Sequence, residues 1–300
     1  MKARKPLLSN MTFHLMILPS LIIVLIYSYG PMLGVLMAFQ DYRVTRGLFG
    51  SDWIGLDNFR TLLAFPDTLQ VIWNTVFIAS MKIAANLIVP IVFALLLNEV
   101  RLNLFKRGVQ TLVYLPHFLS WVILGGILID ILSPSSGIVN QGLKLLGIEP
   151  IYFLGRNDWF PFVIVISDVW KEFGYGTIVY LAALSAINPA LYEAAIVDGA
   201  GRWKQTLYIT LPGIVPVIIL LTTLSLGNIL NAGFDQIFNL YSPAVYQSGD
   251  IIDTLVYRMG LGQAQYGFAT AIGLFKSLIS FGLIAISYSM AYRFAGYRIF

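Results

Sequence analysis

Polar side chains interrupt two long apolar stretches of the sequence at helical spacing. Hydroxyl, amide and carboxyl groups can match the hydroxyl groups of a sugar, and aromatic rings can cover its apolar faces. Ionisable side chains within an apolar span are costly and usually face the interior of a helix bundle. The first stretch carries Asp168, Lys171, Glu172 and Tyr175, and the second carries Ser225, Asn228, Asn231, Phe234 and Asp235. These two stripes are predicted to line a pathway for a polar ligand.

The same side chains have a second interpretation, in which they only hold helices together. Asp168 can pair with Lys171, which lies three residues further along a helix. Asn228 and Asn231 can hydrogen-bond neighbouring helices, as amide side chains often do in membrane bundles. The sequence leaves both interpretations open.

Two further lysines, Lys82 and Lys276, lie within apolar stretches. Such a cation could attract an acidic sugar, or it could pair with Asp130, with Glu172 or with another chain. Both alternatives stay open for these lysines as well.

Composition places the chain in a membrane. Apolar residues make up 58% and charged residues 11% of the sequence, against about 45–50% and about 25% in soluble domains. The chain has no cysteine, which excludes disulfides, thiol catalysis and thiolate metal sites. A net charge of +4, scattered along the chain, does not indicate nucleic-acid binding.

Six stretches reach the length of about 20 apolar residues that a membrane span needs. They cover residues 12–39, 71–97, 109–132, 161–185, 213–235 and 269–291. The first follows basic residues without a small-residue cleavage site, so it is predicted to be an uncleaved span. We therefore expect an all-α membrane protein with a single domain over residues 1–300 and both termini on one side.

Lysine and arginine are unevenly distributed between the two predicted sides. The side with the termini has ten basic and three acidic residues, a net charge of +7, and includes Lys2, Arg4, Lys5 and Arg298. The opposite side has six basic and nine acidic residues. Because basic residues are enriched in cytoplasmic loops, the termini and the loop at residues 186–212 are predicted to be cytoplasmic.

The loop at residues 186–212 joins the fourth and fifth predicted spans and has strong helix signals. Asn188 is a favourable N-cap, and Pro189 fits the first helical position. Gly199 can adopt the left-handed conformation that ends a helix. The sequence predicts a helix from Pro189 to Asp198, a turn and a second short helix, which suits a docking element. An ordinary interfacial linker is the alternative.

The loop also has a recognisable motif, formed by Glu193, Ala194, Ala195, Asp198, Gly199, Ile209, Leu211 and Pro212. It resembles the signature loop of permease subunits of bacterial binding-protein-dependent ABC importers. Further segments are similar to the sugar-importing branch, and within it to permeases for oligosaccharides from plant or bacterial polysaccharides. These segments are WIGLDNF at 53–59, YLPHFLSW at 114–121, WKEFGYGTIVYLAAL at 170–184 and GFDQIFNLY at 233–241.

The resemblance implies a fold, a location and a set of partners. The fold is the type I ABC importer permease fold, with six transmembrane helices and a cytoplasmic coupling helix. The partners are a second homologous permease, two cytoplasmic ATPase subunits that bind ATP and Mg, an extracytoplasmic solute-binding protein and an oligosaccharide. The location is the bacterial cytoplasmic membrane, where the chain contacts lipid.

Motifs for catalysis are missing from the sequence. There is no G-x-x-x-x-G-K-[ST] phosphate loop, so ATP hydrolysis is assigned to a partner. There is also no H-E-x-x-H or G-x-S-x-G. His14 and His117 lack a companion at ligand spacing, so no metal site is expected, and His117 is predicted to be a hydrogen-bonded packing residue. The chain is predicted to be a transport subunit without a bound cofactor.

Three other functions remain as alternatives. An ABC permease for peptides or another polar solute would share the cytoplasmic loop. An ion- or proton-driven secondary transporter is suggested by Asp168, Lys171 and Glu172 within a span. An intramembrane enzyme is disfavoured by the missing catalytic spacings.

Overall fold

The computed structural model describes residues 11–295, and most of them lie in helices. Lys2, Arg4, Lys5 and Arg298, which contribute to the predicted orientation, lie outside these residues. Within the described part, four helices are long and apolar enough to cross a membrane. The count reaches six when each of two bent helix pairs is taken as one span.

The elements follow one another in this order. The first part contains α1 (Met11–Val24), which continues as a π-helix over Leu25–Tyr29 and a 3₁₀-helix over Gly30–Phe39, then β1 (Gln40–Asp41), α2 (Gly47–Gly50), β2 (Asp52–Trp53) and α3 (Asp57–Ala64). The middle contains α4 (Thr68–Glu99), α5 (Asn103–Tyr114) with a 3₁₀ turn over Leu115–Phe118, α6 (Trp121–Leu132), α7 (Ile138–Leu145) and α8 (Phe160–Ser185). The last part contains α9 (Pro189–Val197), α10 (Arg202–Gln205), a π-helix over Thr206–Thr210, α11 (Leu211–Gly227), α12 (Phe234–Leu240), α13 (Tyr246–Gly249), α14 (Ile252–Tyr257) and α15 (Tyr266–Ala295).

One compact unit consists of residues 11–65 and 256–274. Within it, β1 and β2 pair in antiparallel orientation after the first span. The rings of Phe39 and Trp53 stack with their centroids 5.7 Å apart. The side-chain NH₂ group of Asn58 donates to the backbone carbonyls of Ala38 and Gln40, at 3.0 and 3.1 Å. These contacts fix α3 against the end of the first span.

A second compact unit consists of residues 66–255 and 275–295. Its long helices α4 and α8 pack along each other. Helix α8 also approaches α5 closely, because a Cβ atom on Gly174 would lie 2.1 Å from the carbonyl oxygen of Val113. Small residues allow such close backbone contact between membrane helices. The fully buried core of this unit includes Ile78, Phe160, Ile164 and Ile237.

The third predicted span, residues 109–132, is interrupted in the structure. The helical segment that begins with α5 meets α6 at a bend of 103°. Pro116 lies in the last turn before the bend and has no N–H to donate. Leu119 is extended, and Ser120 caps the new helix by accepting from the Ile123 amide at 3.4 Å. The sequence signals at Pro116 and Ser120 therefore mark a break within the apolar stretch.

The fifth predicted span ends at Gly227 rather than at residue 235. After α11 the backbone forms a turn, in which the backbone N–H of Asn231 donates to the backbone carbonyl of Asn228 at 2.8 Å. Gly233 is left-handed with φ 94°, and α12 begins directly after it. Such a φ is easily reached by glycine and strained for other residues, so Gly233 separates the two helices.

The remaining four predicted spans coincide with long helical segments. The stretches at 12–39, 71–97, 161–185 and 269–291 correspond to Phe13–Phe39, α4, α8 and α15. The single domain over residues 1–300 stays a prediction.

Candidate functional site

A buried ion pair joins α4 to α8 near the middle of both helices. Lys82 Nζ lies 3.0 Å from Asp168 Oδ1, and the two side chains are only 9% and 16% exposed. Asn86, one helical turn after Lys82, donates its amide to Asp168 Oδ2 at 2.8 Å. A buried carboxylate needs a cation and hydrogen-bond donors to remain charged. Lys82 and Asn86 supply both from one face of α4.

Lys82 also holds the segment that follows α11. Its Nζ donates to the Ala232 carbonyl at 2.8 Å and to Gln236 Oε1 at 2.5 Å. Gln236 is completely buried and donates in turn to the Ile164 carbonyl at 2.7 Å and to Ser167 Oγ at 2.8 Å. An ammonium group has three protons, and three protein oxygens surround this one. Lys82 therefore connects α4, α8 and the start of α12.

The break in the fifth span is built around this lysine. A Cβ atom on Gly233 would lie 2.8 Å from Lys82 Nζ and would displace the ammonium group, and the φ of 94° favours glycine as well. The carbonyl of Ala232 has no helical partner because α11 has already ended, and Lys82 satisfies it. Ala232 is only 1% exposed, and a buried carbonyl without a partner would cost free energy. The cation thus stabilises irregular backbone between two helices.

A polar cavity of about 260 Å³ opens beside the ion pair. At this cavity the side chains of Asn228 and Asn231 are exposed, and that of Ser225 is half-buried. Within residues 11–295, the structure gives the side chains of Ser225 and Asn231 no hydrogen-bond partner, so they can meet a ligand. The lining consists of Ala79, Lys82, Ile83, Asn86, Asp168, Ser225, Asn228, Asn231, Ala232 and Gly233.

The first predicted stripe is divided between two places. Asp168 lies at the cavity and pairs with Lys82, and not with Lys171. Lys171 Nζ instead lies 2.9 Å from Glu172 Oε1 and donates to the His117 carbonyl at 2.8 Å. Glu172 Oε2 and His117 Nδ1 are 2.7 Å apart, and the His117 ring stacks on Tyr175 at 4.1 Å. Lys171, Glu172 and Tyr175 thus fasten α8 to the turn before the bend in the third span.

The second predicted stripe is wrong as one face of a continuous helix. Ser225 lies in α11, whereas Asn228 and Asn231 lie in the turn after it. Phe234 and Asp235 begin α12 and are not among the residues that line the cavity. The polar groups of residues 225, 228 and 231 still meet at one cavity, because the turn folds back beside α4.

Sequence reasoning missed three features of this site, which are the partner of Lys82, Asn86 and Gln236. The partner of Lys82 is Asp168. Away from the site, Lys276 pairs with Asp253 at 2.5 Å, a partner that was also not predicted. Asn86 was not singled out, although its spacing of four residues from Lys82 places both on one helix face. Gln236 gave no signal, since its role depends on the break in the fifth span.

The loop at residues 186–212 has the predicted local geometry. Asn188 Oδ1 accepts from the Ala190 amide at 3.0 Å, and Pro189 opens α9. Gly199 is left-handed with φ 73°, and the following amide, that of Ala200, donates back to the Ala195 carbonyl at 2.8 Å. This pattern terminates a helix by satisfying its last carbonyl groups.

The motif residues of this loop differ in exposure. Glu193, Ala194, Asp198 and Gly199 are exposed, and Ala195 is half-buried. Ile209 lies in the π-helix after α10, and Leu211 and Pro212 open α11. Val197 and Trp203 are large apolar residues with 87% and 82% exposure. A capped helix with exposed small and apolar residues offers a surface for another chain.

Two side-chain contacts attach this loop to the helices. Arg202 Nη1 lies 3.0 Å from Glu99 Oε2 at the end of α4. The hydroxyl groups of Tyr192 and Thr210 are 3.0 Å apart, which ties α9 to the start of the fifth span. Both contacts border a cavity of about 510 Å³ between the loop and α4. The loop is therefore connected to the same helix that carries Lys82.

Comparisons with known proteins agree with this architecture. The family profile described as "Binding-protein-dependent transport system inner membrane component" matches residues 86–295. The chain is 41% identical to the polygalacturonan/rhamnogalacturonan transport system permease protein YteP of Bacillus subtilis, over 96% of this chain and 90% of that protein. It is 42% identical to protein LplB of the same organism, over 90% of this chain and 85% of that protein.

A solved structure is similar over nearly the whole chain. It is a crystal structure of a bacterial ABC transporter involved in the import of the acidic polysaccharide alginate. The match has a TM-score of 0.89 and 41% identity, and it covers 95% of this chain and 96% of that chain. A second structure, of a bacterial alginate ABC transporter with an alginate pentasaccharide-bound periplasmic protein, matches with a TM-score of 0.87, 41% identity and 95% coverage of both chains. These matches confirm the predicted fold class and the prediction of a transport subunit rather than an enzyme.

Proposed function

The chain belongs to the family of binding-protein-dependent transport system inner membrane components, and on this basis we propose how it moves its cargo. It is a permease of an ABC sugar importer. We propose that it forms the translocation pathway together with a second homologous permease. Two ATPase subunits that bind ATP and Mg drive the cycle, and a binding protein delivers the cargo from outside.

The broken fifth span beside the polar cavity is the observation that carries the proposed pathway. Irregular backbone at membrane depth is tolerated where it is buried in protein or lines a cavity. Discontinuous helices of this kind commonly form substrate sites in transporters near the bilayer midplane. Here the segment from Asn228 to Gly233 is irregular and contributes to the lining of the cavity. We place the cargo's passage along Asp168, Ser225, Asn228 and Asn231.

The proposed cargo is an oligosaccharide derived from a polysaccharide. The exposed amide groups of Asn228 and Asn231 and the half-buried hydroxyl group of Ser225 can exchange hydrogen bonds with sugar hydroxyls. Relatives that are 41% identical are named for polygalacturonan/rhamnogalacturonan and alginate transport, which supports a carbohydrate cargo. A permease for another polar solute would have the same loop but different ligands on its binding protein.

The proposed energy transfer runs through the loop at residues 186–212. Helix α9 docks in a groove of one ATPase, with Glu193 as an anchoring acceptor and Ala194 allowing close approach. Arg202 then transmits the movement to Glu99 on α4. Lys82 lies 17 residues earlier on that helix, roughly 25 Å away along its axis at 1.5 Å per residue. Closure of the ATPase pair around ATP would thereby open the cavity outward, and hydrolysis would return it inward.

The proposed location is the bacterial cytoplasmic membrane, with the chain in contact with lipid. The excess of lysine and arginine on one side supports cytoplasmic termini and a cytoplasmic loop. This orientation brings α9 to the side where ATP is available.

The test is to reconstitute the complete complex and measure ATP hydrolysis with its binding protein, empty or loaded with defined oligosaccharides. We expect loaded binding protein to stimulate hydrolysis and uptake together. Uptake that continues without the ATPase subunits and collapses with an uncoupler would contradict the proposal and favour an ion-driven transporter.

A further inference from the structure

Within residues 11–295, the three lysines in apolar helices, Lys82, Lys171 and Lys276, are each paired with a carboxylate of the same chain. Lys82 pairs with Asp168 at 3.0 Å and Lys171 with Glu172 at 2.9 Å. Lys276 pairs with Asp253 at 2.5 Å. The side chains of the first two lysines are each only 9% exposed. A cation that is already neutralised and buried is a poor receptor for an anionic ligand.

The lysine at the cavity is also saturated as a donor. Its three protons face Asp168, the Ala232 carbonyl and Gln236. A cargo carboxylate could bind this ammonium group only by displacing one of these oxygens. Each displaced oxygen would then lose its partner at a cost.

Apart from Asp168, whose two oxygens are already bonded to Lys82 and Asn86, the polar groups that remain open at the cavity are neutral. Asn231 is exposed and Ser225 is half-buried, and among residues 11–295 neither side chain has a hydrogen-bond partner. The side-chain NH₂ group of Asn228 donates to the backbone carbonyl of Leu224 at 3.2 Å, which leaves the side-chain oxygen of Asn228 open. Hydroxyl and amide groups recognise hydroxyls, because they can both donate and accept.

We propose that Lys82 is a positioning residue and that this chain recognises the hydroxyl groups of the cargo but does not recognise the charge of the cargo. This inference rests on the proposed pathway. Lys82 holds the turn at residues 228–233 open. Asn228 and Asn231 on that turn make the hydrogen bonds to the cargo. If the cargo is a uronate oligosaccharide, its carboxylates are recognised by the binding protein or by the paired permease.

The experiment compares two probes of equal length that differ in charge. A galacturonate trimer and its fully methyl-esterified form are each supplied with the binding protein to the complete complex in proteoliposomes. The measured quantity is the ratio of uptake rates, acid over ester. The variants are Lys82→Met/Asp168→Asn and the exchanged pair Lys82→Asp/Asp168→Lys, which retains an ion pair if the first fails to fold. Lys276→Met/Asp253→Asn is the matched control, because this pair does not line the cavity.

The inference predicts that the acid-to-ester ratio of both cavity variants stays within about twofold of the wild-type ratio. Asp168→Asn alone frees a cation and should raise the ratio about threefold or more. A fall in the ratio of about tenfold or more in either cavity variant, with ester uptake retained, would show that Lys82 binds the carboxylate and would overturn the inference.

A separate variant tests the pathway on which the inference rests. Asn231→Ala should raise the half-saturating concentration of loaded binding protein for both probes alike. If this variant transports both probes like the wild type, the pathway proposal fails, whatever the charge ratio shows. A wild-type complex stimulated by neither probe would count against the oligosaccharide assignment itself.

Discussion

Replacing Lys82 by methionine should destabilise the protein far more than replacing an exposed basic residue. The substitution keeps an apolar stem of similar length but removes the ammonium group. Asp168 then loses its cation, and the Ala232 carbonyl and Gln236 Oε1 lose a donor. Breaking a buried pair by removing one partner costs about 3–5 kcal/mol. Since Asp168 is 16% exposed, the lower end of that range applies, about a 150-fold change in the folding equilibrium constant.

The assay is denaturant unfolding of the purified chain in detergent, with two further variants. Lys82→Met/Asp168→Asn removes the orphaned charge and should recover part of the lost stability. Arg60→Met removes an exposed pair with Asp57, whose side chains are 80% and 60% exposed, and should cost less than about 1 kcal/mol. Two results would refute the reasoning. One is a Lys82→Met variant as stable as Arg60→Met, and the other is a double variant less stable than Lys82→Met.

Two glycines lead to further predictions. Gly199→Pro should abolish stimulation of ATP hydrolysis while the spans still insert, because proline cannot adopt φ 73°. Gly201→Pro is its matched control, since Gly201 has φ −68°, and equal activity of the two variants would contradict the role of the turn. Gly174→Ala should lower the yield of folded protein, because its Cβ would lie 2.1 Å from the Val113 carbonyl oxygen. Gly126→Ala meets nothing within 4 Å and should be tolerated, so equal yields from the two alanine variants would rule out the close helix contact.

Local signals predicted the loop at residues 186–212 well. The cap at Asn188 and the left-handed Gly199 depend on neighbouring residues alone, so the sequence contains the information. The helix predicted to end at Asp198 ends at Val197. The number of apolar stretches was equally predictable, because the bilayer sets the length of a span.

The breaks within two spans could not be predicted from apolar length. Residues 213–235 are apolar enough to continue as a helix, yet the backbone turns after Gly227. The turn is stabilised by Lys82, which lies 150 residues before Ala232 in the sequence. Long-range partners of this kind are invisible to a pattern of helical spacing. For the same reason the stripe from Ser225 to Asp235 was wrong as a helix face.

The pairing of charges also required the structure. Helical spacing allowed Asp168 to pair with Lys171, but the packing of α4 against α8 brings Lys82 to it instead. Lys171 is then available to Glu172 and to the turn at His117. Three ionisable residues on one helix therefore serve two different contacts.

The central claim is that α9 engages an ATPase subunit and that this contact drives transport. The chain has no cysteine, so Val197→Cys, at a position that is 87% exposed, introduces a unique site for a photoactivatable maleimide crosslinker. Phe49→Cys, at a position that is 91% exposed in the first connection, is the control. We predict that the label at position 197 crosslinks to an ATPase chain and stops uptake, whereas the label at position 49 does neither. If position 197 forms no crosslink in the complete complex while uptake proceeds at the wild-type rate, the claim is wrong.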